Sequence, residues 1–292
     1  MNKEDFLARY EKWGIDQSSA LTFRDKHTIR VNTSLISPKK LRGRLEERKV
    51  YTTQVPFLPD AFYVDSAFPL SSMVEYLLGY FYIQEVSAQL PGEIIKKDVA
   101  LRKFDDVKIL DMCAAPGGKT THLSQLLRNK GRVVAIDSSK LRTEKLIYNI
   151  ERMRCQNVTV YETDALTFLA EKDFDIVLVD APCSGNFTQD RDWFEKRDIE
   201  GIKDRQAIQK KLLIKAKDLV KTGGIIVYAT CSLEKEENED VIEFAMDKGL
   251  ELIDSGFDKG KSGLTEKTAL CKRMLPSQGY PGFFVAKLKK VE

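Results

Sequence analysis

The chain has 292 residues, a length that favours one large domain or a main domain with a smaller partner. Hydrophobic residues make up 42% and charged residues 31%, which excludes collagen-like, disulfide-scaffold and wholly disordered proteins. Because 47 Lys and Arg nearly balance 44 Asp and Glu, the net charge of +3 does not identify a nucleic-acid-binding protein, and any basic surface must be local.

The N-terminus and the cysteines predict the cellular setting. The first residues include Glu4 and Asp5 and lack the apolar core of a signal peptide, so we expect a cytoplasmic protein. No uncharged run approaches about 18 residues, so we expect no membrane span. The cysteines form no C-x-x-C pair, which favours reduced thiols and no metal site. We also expect the protein to be a monomer. They are Cys113, Cys155, Cys183, Cys231 and Cys271.

Residues 1–85 predict a small α+β domain. Glu4–Trp13 reads as a helix, 29–33 alternates like a strand, and Ser37-Pro38 opens a helix that runs through Leu45. Between residues 24 and 49, nine basic and three acidic residues give a local excess of +6. This cluster is either a solvated helix face or the contact surface for an anionic partner.

From residue 107 the pattern changes to strands that alternate with helices, which predicts a parallel, doubly wound sheet over residues 86–292. The last two strands are expected to form an antiparallel hairpin at the sheet edge. The helices are predicted at 120–127, 141–153, 204–220 and 236–246. The seven strands are predicted at 107–112, 132–136, 158–161, 174–179, 224–229, 250–253 and 283–288.

Three successive strand ends carry residues suited to a nucleoside ligand. The first strand leads into Cys113-Ala114-Ala115-Pro116-Gly117-Gly118-Lys119, small residues before a helix N-terminus, without the spacing of a triphosphate loop or of a dinucleotide fingerprint. Asp137 could accept bonds from a ribose, and Asp164 could meet an adenine amino group. Each aspartate alone could equally cap a helix. Together they favour S-adenosylmethionine as the cofactor.

Two further strand ends carry cysteines. Asp180-Ala-Pro-Cys183-Ser-Gly follows the fourth strand, and Thr-Cys231-Ser follows the fifth. Either cysteine alone could simply pack beneath a loop. A thiolate that adds to carbon 6 of cytosine makes carbon 5 nucleophilic, and a second group could then help release the product. Asp180 could hold the base through ring nitrogen 3 or its amine. Spacing alone does not choose which cysteine is the nucleophile.

These blocks resemble those of the Sun-type (RsmB/Nop/Sun) RNA cytosine-5 methyltransferases, in particular an archaeal-like member that acts on tRNA. Further similar blocks are Arg-Val-Asn-Thr at 30–33, residues 84–89, Glu-Asn-Glu at 237–239 and Gly-Phe-Phe-Val-Ala-Lys at 282–287. The resemblance implies a Rossmann-like class I methyltransferase domain of seven mostly parallel strands. Two departures are Ser277, where many relatives have His, and residues 186–191, which lack a common Gly-Thr-x-Arg-Arg run.

The resemblance also implies the roles of individual residues. Cys231 would be the nucleophile, Cys183 would aid product release, and Asp180 would contact both the base and the cofactor, with Arg142 as another cofactor contact. The substrate would be tRNA, or alternatively rRNA; a non-catalytic RNA-binding or assembly factor and a small-molecule methyltransferase are the alternatives from other classes. The basic cluster would contact RNA phosphates through Arg24, Lys26, Arg30, Lys39, Lys40 and Arg42.

Overall fold

The computed structural model describes residues 3–23 and 26–292. They form two compact units, one of Lys26–Thr163 and the other of Asp164–Glu292 together with the N-terminal residues 3–23. These limits differ from the expected division into 1–85 and 86–292, which stays a prediction. Within the described ranges, no helix is long and apolar enough to cross a bilayer.

The N-terminal segment contributes two helices to the second unit, α1 (Lys3–Lys12) and α2 (Gln17–Thr22). In α1, Phe6 and Tyr10 are buried, and the Phe6 ring lies 5.0 Å from that of Trp193. The predicted helix at residues 4–13 is confirmed.

The first unit begins with a four-stranded antiparallel sheet in the order β2-β3-β1-β4. Leu41 and Leu45, four residues apart on one face of α3, pack against this sheet. Ser37 caps α3, its hydroxyl accepting the Lys40 amide at 3.3 Å. The predicted α+β module is therefore present. Its elements are β1 (Thr28–Val31), α3 (Pro38–Glu47), β2 (Tyr51–Gln54), β3 (Ala61–Asp65), α4 (Val74–Leu77) and β4 (Phe81–Ile83).

The same unit continues with three parallel strands and the helices between them. β6 pairs with both β5 and β7, so the carboxyl ends of the three strands lie at one edge. Ile109 and Leu110 in β5 and all but the first residue of β6 are buried. The elements are α5 (Leu90–Ala100), β5 (Lys108–Asp111), α6 (Gly118–Leu126), β6 (Arg132–Asp137), α7 (Lys140–Arg152) and β7 (Val158–Glu162).

The second unit places two parallel strands, β8 and β9, beside an antiparallel edge. β13 pairs antiparallel with β9 and β10, which is the predicted closing hairpin, and β12 pairs with β13 and β11. The elements are β8 (Phe174–Asp180), α8 (Trp193–Lys196), α9 (Ile199–Leu219), β9 (Val220–Thr230), α10 (Glu239–Asp247), β10 (Leu250–Ile253), β11 (Lys261–Ser262), β12 (Lys272–Met274) and β13 (Phe283–Lys290).

Each of the seven predicted strands is found, with limits that differ by up to four residues. The long helix begins at Ile199 and not at the predicted Asp204, because Asp198 caps it by accepting the Gly201 amide at 2.8 Å. β11 and β12 are too short for a sequence pattern to reveal. Five single-turn 3-10 helices complete the described secondary structure, at Leu70–Ser72, Ser87–Gln89, Phe104–Asp106, Glu266–Thr268 and Pro276–Gln278.

Candidate active site

The segment between β5 and α6 is a loop of small residues held by hydrogen bonds. The Gly117 amide donates to the Ala114 carbonyl at 2.8 Å, and the Asn149 side chain donates to the Pro116 carbonyl at 2.9 Å. Gly117 has a φ of +106°, in the left-handed region that favours glycine. The predicted segment Cys113–Lys119 is thus a loop up to Gly117, and its last two residues begin the nine-residue helix α6, whose first N–H groups favour an anionic group.

Asp137, at the end of β6, ties this loop to the next helix. Its Oδ2 accepts the Ala115 amide and its Oδ1 the Ser139 amide, both at 3.1 Å. The Arg142 guanidinium donates to the Ala115 carbonyl at 2.7 Å and lies 3.4 Å from the Asp137 carboxylate. Each carboxylate oxygen has a second lone pair, so Asp137 can still accept from a ligand hydroxyl. The structure thus brings Asp137, Arg142 and the small-residue loop together.

Arg30 supports the same loop from β1 and is corrected here from its predicted role as an RNA contact. Its side chain is fully buried. The guanidinium donates to the Gly118 carbonyl and to Gln84 Oε1 at 2.6 Å each, and to Thr121 Oγ1 at 2.8 Å. It also lies over the Tyr82 ring. Because all of these partners are within the protein, Arg30 stabilises the start of α6 and does not face a phosphate.

The other two predicted aspartates lie in the second unit. Asp164 is exposed, and its Oδ1 accepts the Leu166 amide at 2.9 Å, as in a turn-capping aspartate. Asp180 is the half-buried last residue of β8 and is in register with Ala229 of β9. Contacts of Asp164 and Asp180 with a cofactor stay predictions.

The two cysteines that follow β8 and β9 meet. These strands are parallel neighbours, and the Ala181 amide just after β8 donates to the Ala229 carbonyl at 2.9 Å. The chain then carries Cys183 and Cys231 to one place, where their sulfur atoms lie 3.2 Å apart and both side chains are half-buried. All five cysteines of the chain are free thiols, as predicted.

Side chains that the sequence motifs did not single out brace the cysteine loops. Asn186 donates to the Cys231 carbonyl at 2.7 Å and to the Gly282 carbonyl at 3.1 Å. Trp193 Nε1 donates to the Ser184 carbonyl at 2.9 Å. Asn186 lies in the run that departs from many relatives, and only the three-dimensional arrangement shows what it holds.

Cys183 is held in its protonated form by its surroundings. The hydrogen bond to Cys231, burial, and the nearby Cys231 and Glu237 charges raise the pKa of the Cys183 thiol well above its usual range. Among residues 3–23 and 26–292, no group of three or more His, Cys, Asp or Glu side chains is placed to hold a metal ion.

The basic cluster is partly neutralised by acidic partners. Arg42 pairs with Glu46 at 2.8 Å across one turn of α3. The buried Glu75 carboxylate lies 3.0 Å from Arg44 and 3.1 Å from Arg48. Exposed lysines remain at 26, 39 and 40, whereas residue 24 lies outside the described residues. The cationic surface is therefore smaller than the residue count suggests.

Comparisons with known proteins decide the family. A family model described as 16S rRNA methyltransferase RsmB/F matches residues 98–289. The chain belongs to the RsmB/F methyltransferase family. It is 36% identical over 280 residues to ribosomal RNA small subunit methyltransferase F of Vibrio cholerae, covering 91% of this chain and 58% of that protein. It is 38% identical over 226 residues to a tRNA (cytosine(72)-C(5))-methyltransferase of Pyrococcus horikoshii, covering 76% of this chain and 56% of that protein. The chain thus spans little more than half the length of these curated relatives.

Solved structures of similar chains agree with this assignment. A methyltransferase homolog protein from P. horikoshii is 34% identical, with a TM-score of 0.81, and covers 94% of this chain and 89% of its own. NSun6 from P. horikoshii, solved with SFG, is 28% identical, with a TM-score of 0.83, and covers 94% of this chain and 93% of its own. The predicted Rossmann-like methyltransferase fold and the Sun-type resemblance are both confirmed.

Proposed function

We propose that this RsmB/F family member is an S-adenosylmethionine-dependent RNA cytosine-5 methyltransferase. One observation carries the proposal: two free thiols whose sulfur atoms lie 3.2 Å apart at the ends of neighbouring parallel strands. Carbon 5 of cytosine is a poor nucleophile, and a thiol that adds to carbon 6 overcomes this. The names of the V. cholerae and P. horikoshii relatives, both RNA methyltransferases, support the same reaction class.

The loop after β5 and the residues around it suit the cofactor. The Ala and Gly residues allow close approach of the ligand to the backbone, and the α6 N-terminus and Lys119 suit a carboxylate. Asp137 can accept a ribose hydroxyl while Arg142 fixes the loop carbonyl beside it. Asp164 and Asp180 complete the proposed contacts. When bound, S-adenosylmethionine supplies an electrophilic methyl group.

Cys231 is the proposed nucleophile. Its sulfur forms a bond to carbon 6 of the cytosine as the double bond between carbons 5 and 6 opens. Asp180 holds the base at ring nitrogen 3 or the amine, and a proton shared with ring nitrogen 3 offsets the negative charge that develops in the adduct. Once carbon 5 has accepted the methyl group, the adduct is resolved by loss of the carbon 5 proton to a base, which re-forms the double bond and expels the Cys231 thiolate.

Cys183 is the proposed base for that last step. The free enzyme keeps Cys183 protonated, since the hydrogen bond to Cys231 is the largest cause of its raised pKa. Once the Cys231 sulfur is bonded to carbon, it carries no thiolate charge, so the part of the raised pKa that Cys231 causes is removed, while burial and the Glu237 charge still raise the pKa of Cys183. Cys183 is therefore easier to deprotonate after addition than before it, and its thiolate, after losing its proton to solvent, can accept the carbon 5 proton.

Transfer RNA is the proposed substrate and ribosomal RNA the second candidate. The first is supported by the 38% identical tRNA enzyme of P. horikoshii, the second by the family description and by the V. cholerae relative. Both require the target base to leave its stack, because the thiols lie in a protein loop region and cannot reach a stacked base.

Methyl transfer from labelled S-adenosylmethionine to total tRNA and, separately, to ribosomal RNA tests the function and its substrate. The proposal expects 5-methylcytosine at defined positions of one RNA, and loss of the label in the Cys231→Ala variant. Cys155→Ala is the matched control, since Cys155 is a half-buried thiol of the other unit. If the wild-type protein binds both RNAs but labels neither, a non-catalytic RNA-binding role replaces the proposal.

A further inference from the structure

A buried carboxylate lies against the loop that carries Cys183. Glu237 has no exposed surface, and its Oε1 accepts the Ser184 amide at 2.9 Å and Gln209 Nε2 at 3.1 Å. Its Oε2 accepts the Ser184 hydroxyl at 2.5 Å. Ser184 directly follows Cys183, so both donors of the next residue along the chain are bound to one carboxylate.

The residue before Cys183 is held through the same group. Gln209 of α9 donates to the Pro182 carbonyl at 2.9 Å as well as to Glu237. The peptide units on both sides of Cys183 are therefore fixed, one directly by Glu237 and one through Gln209. A small shift of either would move the thiol, because Cys183 has only one side-chain torsion before its sulfur.

The neighbour of Glu237 holds the other cysteine in the same manner. Asn238 accepts the Thr230 hydroxyl at 2.6 Å and donates to the Ser232 carbonyl at 2.9 Å, and these are the residues on each side of Cys231. Adjacent residues at the start of α10 thus hold the two cysteine loops, one each. Because Glu237 and Asn238 are consecutive residues, the distance between them is fixed by the backbone, and this fixes the distance between the two loops that they hold.

We propose that Glu237 is a positioning residue that sets the distance between the Cys183 and Cys231 thiols. The catalytic consequence of this role rests on the proposed function. The role itself does not, because the distance between the two thiols can be measured without methyl transfer. A carboxylate suits the position because it accepts from both Ser184 donors at once, whereas the amide of glutamine presents an N–H₂ group to one of them.

Disulfide formation between the two thiols measures their separation. Diamide removes one hydrogen atom from each thiol and takes up both, leaving an S–S bond, and the rate depends on how closely the sulfurs approach. Peptide mapping of the linked 183 and 231 fragments follows the rate. We compare the wild-type protein with Glu237→Gln and, as matched control, Glu236→Gln, the neighbouring carboxylate that pairs with Arg9 at 2.7 Å.

The Glu237→Gln variant should form the disulfide about tenfold more slowly than the wild type, the consequence of losing a charged hydrogen bond, and Glu236→Gln should match the wild type. Ser184→Ala, which removes one donor and keeps the amide, should slow it by a smaller factor if Glu237→Gln does not fold. The Glu237 charge helps to raise the pKa of Cys183, so a purely electrostatic role would make Glu237→Gln faster. An unchanged or faster rate overturns the proposal.

The catalytic consequence is read separately. With Cys183 displaced from the adduct, Glu237→Gln should lower kcat about tenfold with the KM for RNA unchanged, and should accumulate RNA–protein adduct. If this variant forms the disulfide slowly but resolves the adduct normally, Glu237 sets the distance between the thiols, but resolution of the adduct does not depend on that distance. Absence of methyl transfer by the wild type would overturn the proposed function and leave the distance measurement standing.

Discussion

Replacing Arg30 by lysine tests whether the buried guanidinium supports the cofactor loop. The wild-type side chain makes three hydrogen bonds of 2.6–2.8 Å from a fully buried site. Burial lowers the pKa of Arg30 to about 10, so the group is charged at neutral pH. A lysine keeps the charge, but its single nitrogen cannot reach Gly118, Gln84 and Thr121 in the fork geometry of a guanidinium.

The expected loss follows from those bonds. Hydrogen bonds to a charged group contribute about 1.5–3 kcal/mol each, and losing one or two of three should reduce the free energy of unfolding by about 3 kcal/mol. Urea unfolding followed by circular dichroism measures this loss. Arg42→Lys is the control, since Arg42 is half-exposed and pairs only across one helical turn, and it should stay within about 0.5 kcal/mol of the wild type.

Cofactor binding without RNA distinguishes the supporting role from an RNA contact. Gly118 begins α6, so loosening it should weaken S-adenosylmethionine binding about tenfold by calorimetry, roughly the cost of one unpaired buried group. A phosphate-contacting arginine would leave this affinity unchanged. If Arg30→Lys retains both wild-type stability and wild-type cofactor affinity, Arg30 does not support the cofactor loop.

Three further variants test the ribose contact, a buried acid and the RNA surface. Asp137→Ala should weaken cofactor binding by roughly 1–3 kcal/mol, measured by calorimetry, and an unchanged affinity would place the ribose elsewhere. Burial raises the pKa of Glu234 to about 7 from 4.5, so the folded state holds this proton more tightly than the unfolded state, and stability should fall as pH rises from about 4.5 through 7. Measured by urea unfolding, the wild type should lose about 3 kcal/mol of unfolding free energy over this pH range, and Glu234→Gln should not show this loss. Equal pH profiles for the two proteins would contradict the raised pKa of Glu234. Replacing the exposed Lys39 and Lys40 by alanine should lower the slope of log RNA affinity against log salt by roughly one for each phosphate that is no longer neutralised, without changing cofactor affinity, whereas an unchanged slope would place the RNA surface elsewhere.

The sequence was sufficient for the strands of the predicted parallel sheet and its closing hairpin, and for which residues follow them, but not for β2, β3, β4, β11 and β12. Period-two alternation and apolar runs located all seven predicted strands, because side chains alternate between the two faces of a strand, so the pattern of consecutive residues shows whether one face or both faces are buried. The sequence also places Cys183 and Cys231 after the fourth and fifth predicted strands, and the parallel pairing of β8 with β9, which only the structure shows, brings them together.

The roles of buried polar residues could not be read in the same way. Arg30 and Lys39 belong to one basic cluster in the sequence, yet one is fully buried and the other exposed, because strand β1 is covered on both faces while α3 is covered on one. Glu237 lies in the Glu-Asn-Glu block at 237–239, which resembles the family but does not show what its carboxylate contacts. Only its contacts with Ser184 and Gln209, 53 and 28 residues away, show what it holds.

The most direct test of the proposed mechanism is to identify the cysteine that bonds to the base. Wild-type protein is incubated with S-adenosylmethionine and substrate RNA that carries 5-fluorocytosine, in which carbon 5 has no proton to lose, so the adduct persists. Digestion and mass spectrometry then locate the modified peptide. We predict attachment at Cys231 with Cys183 unmodified; attachment at Cys183 would contradict the mechanism.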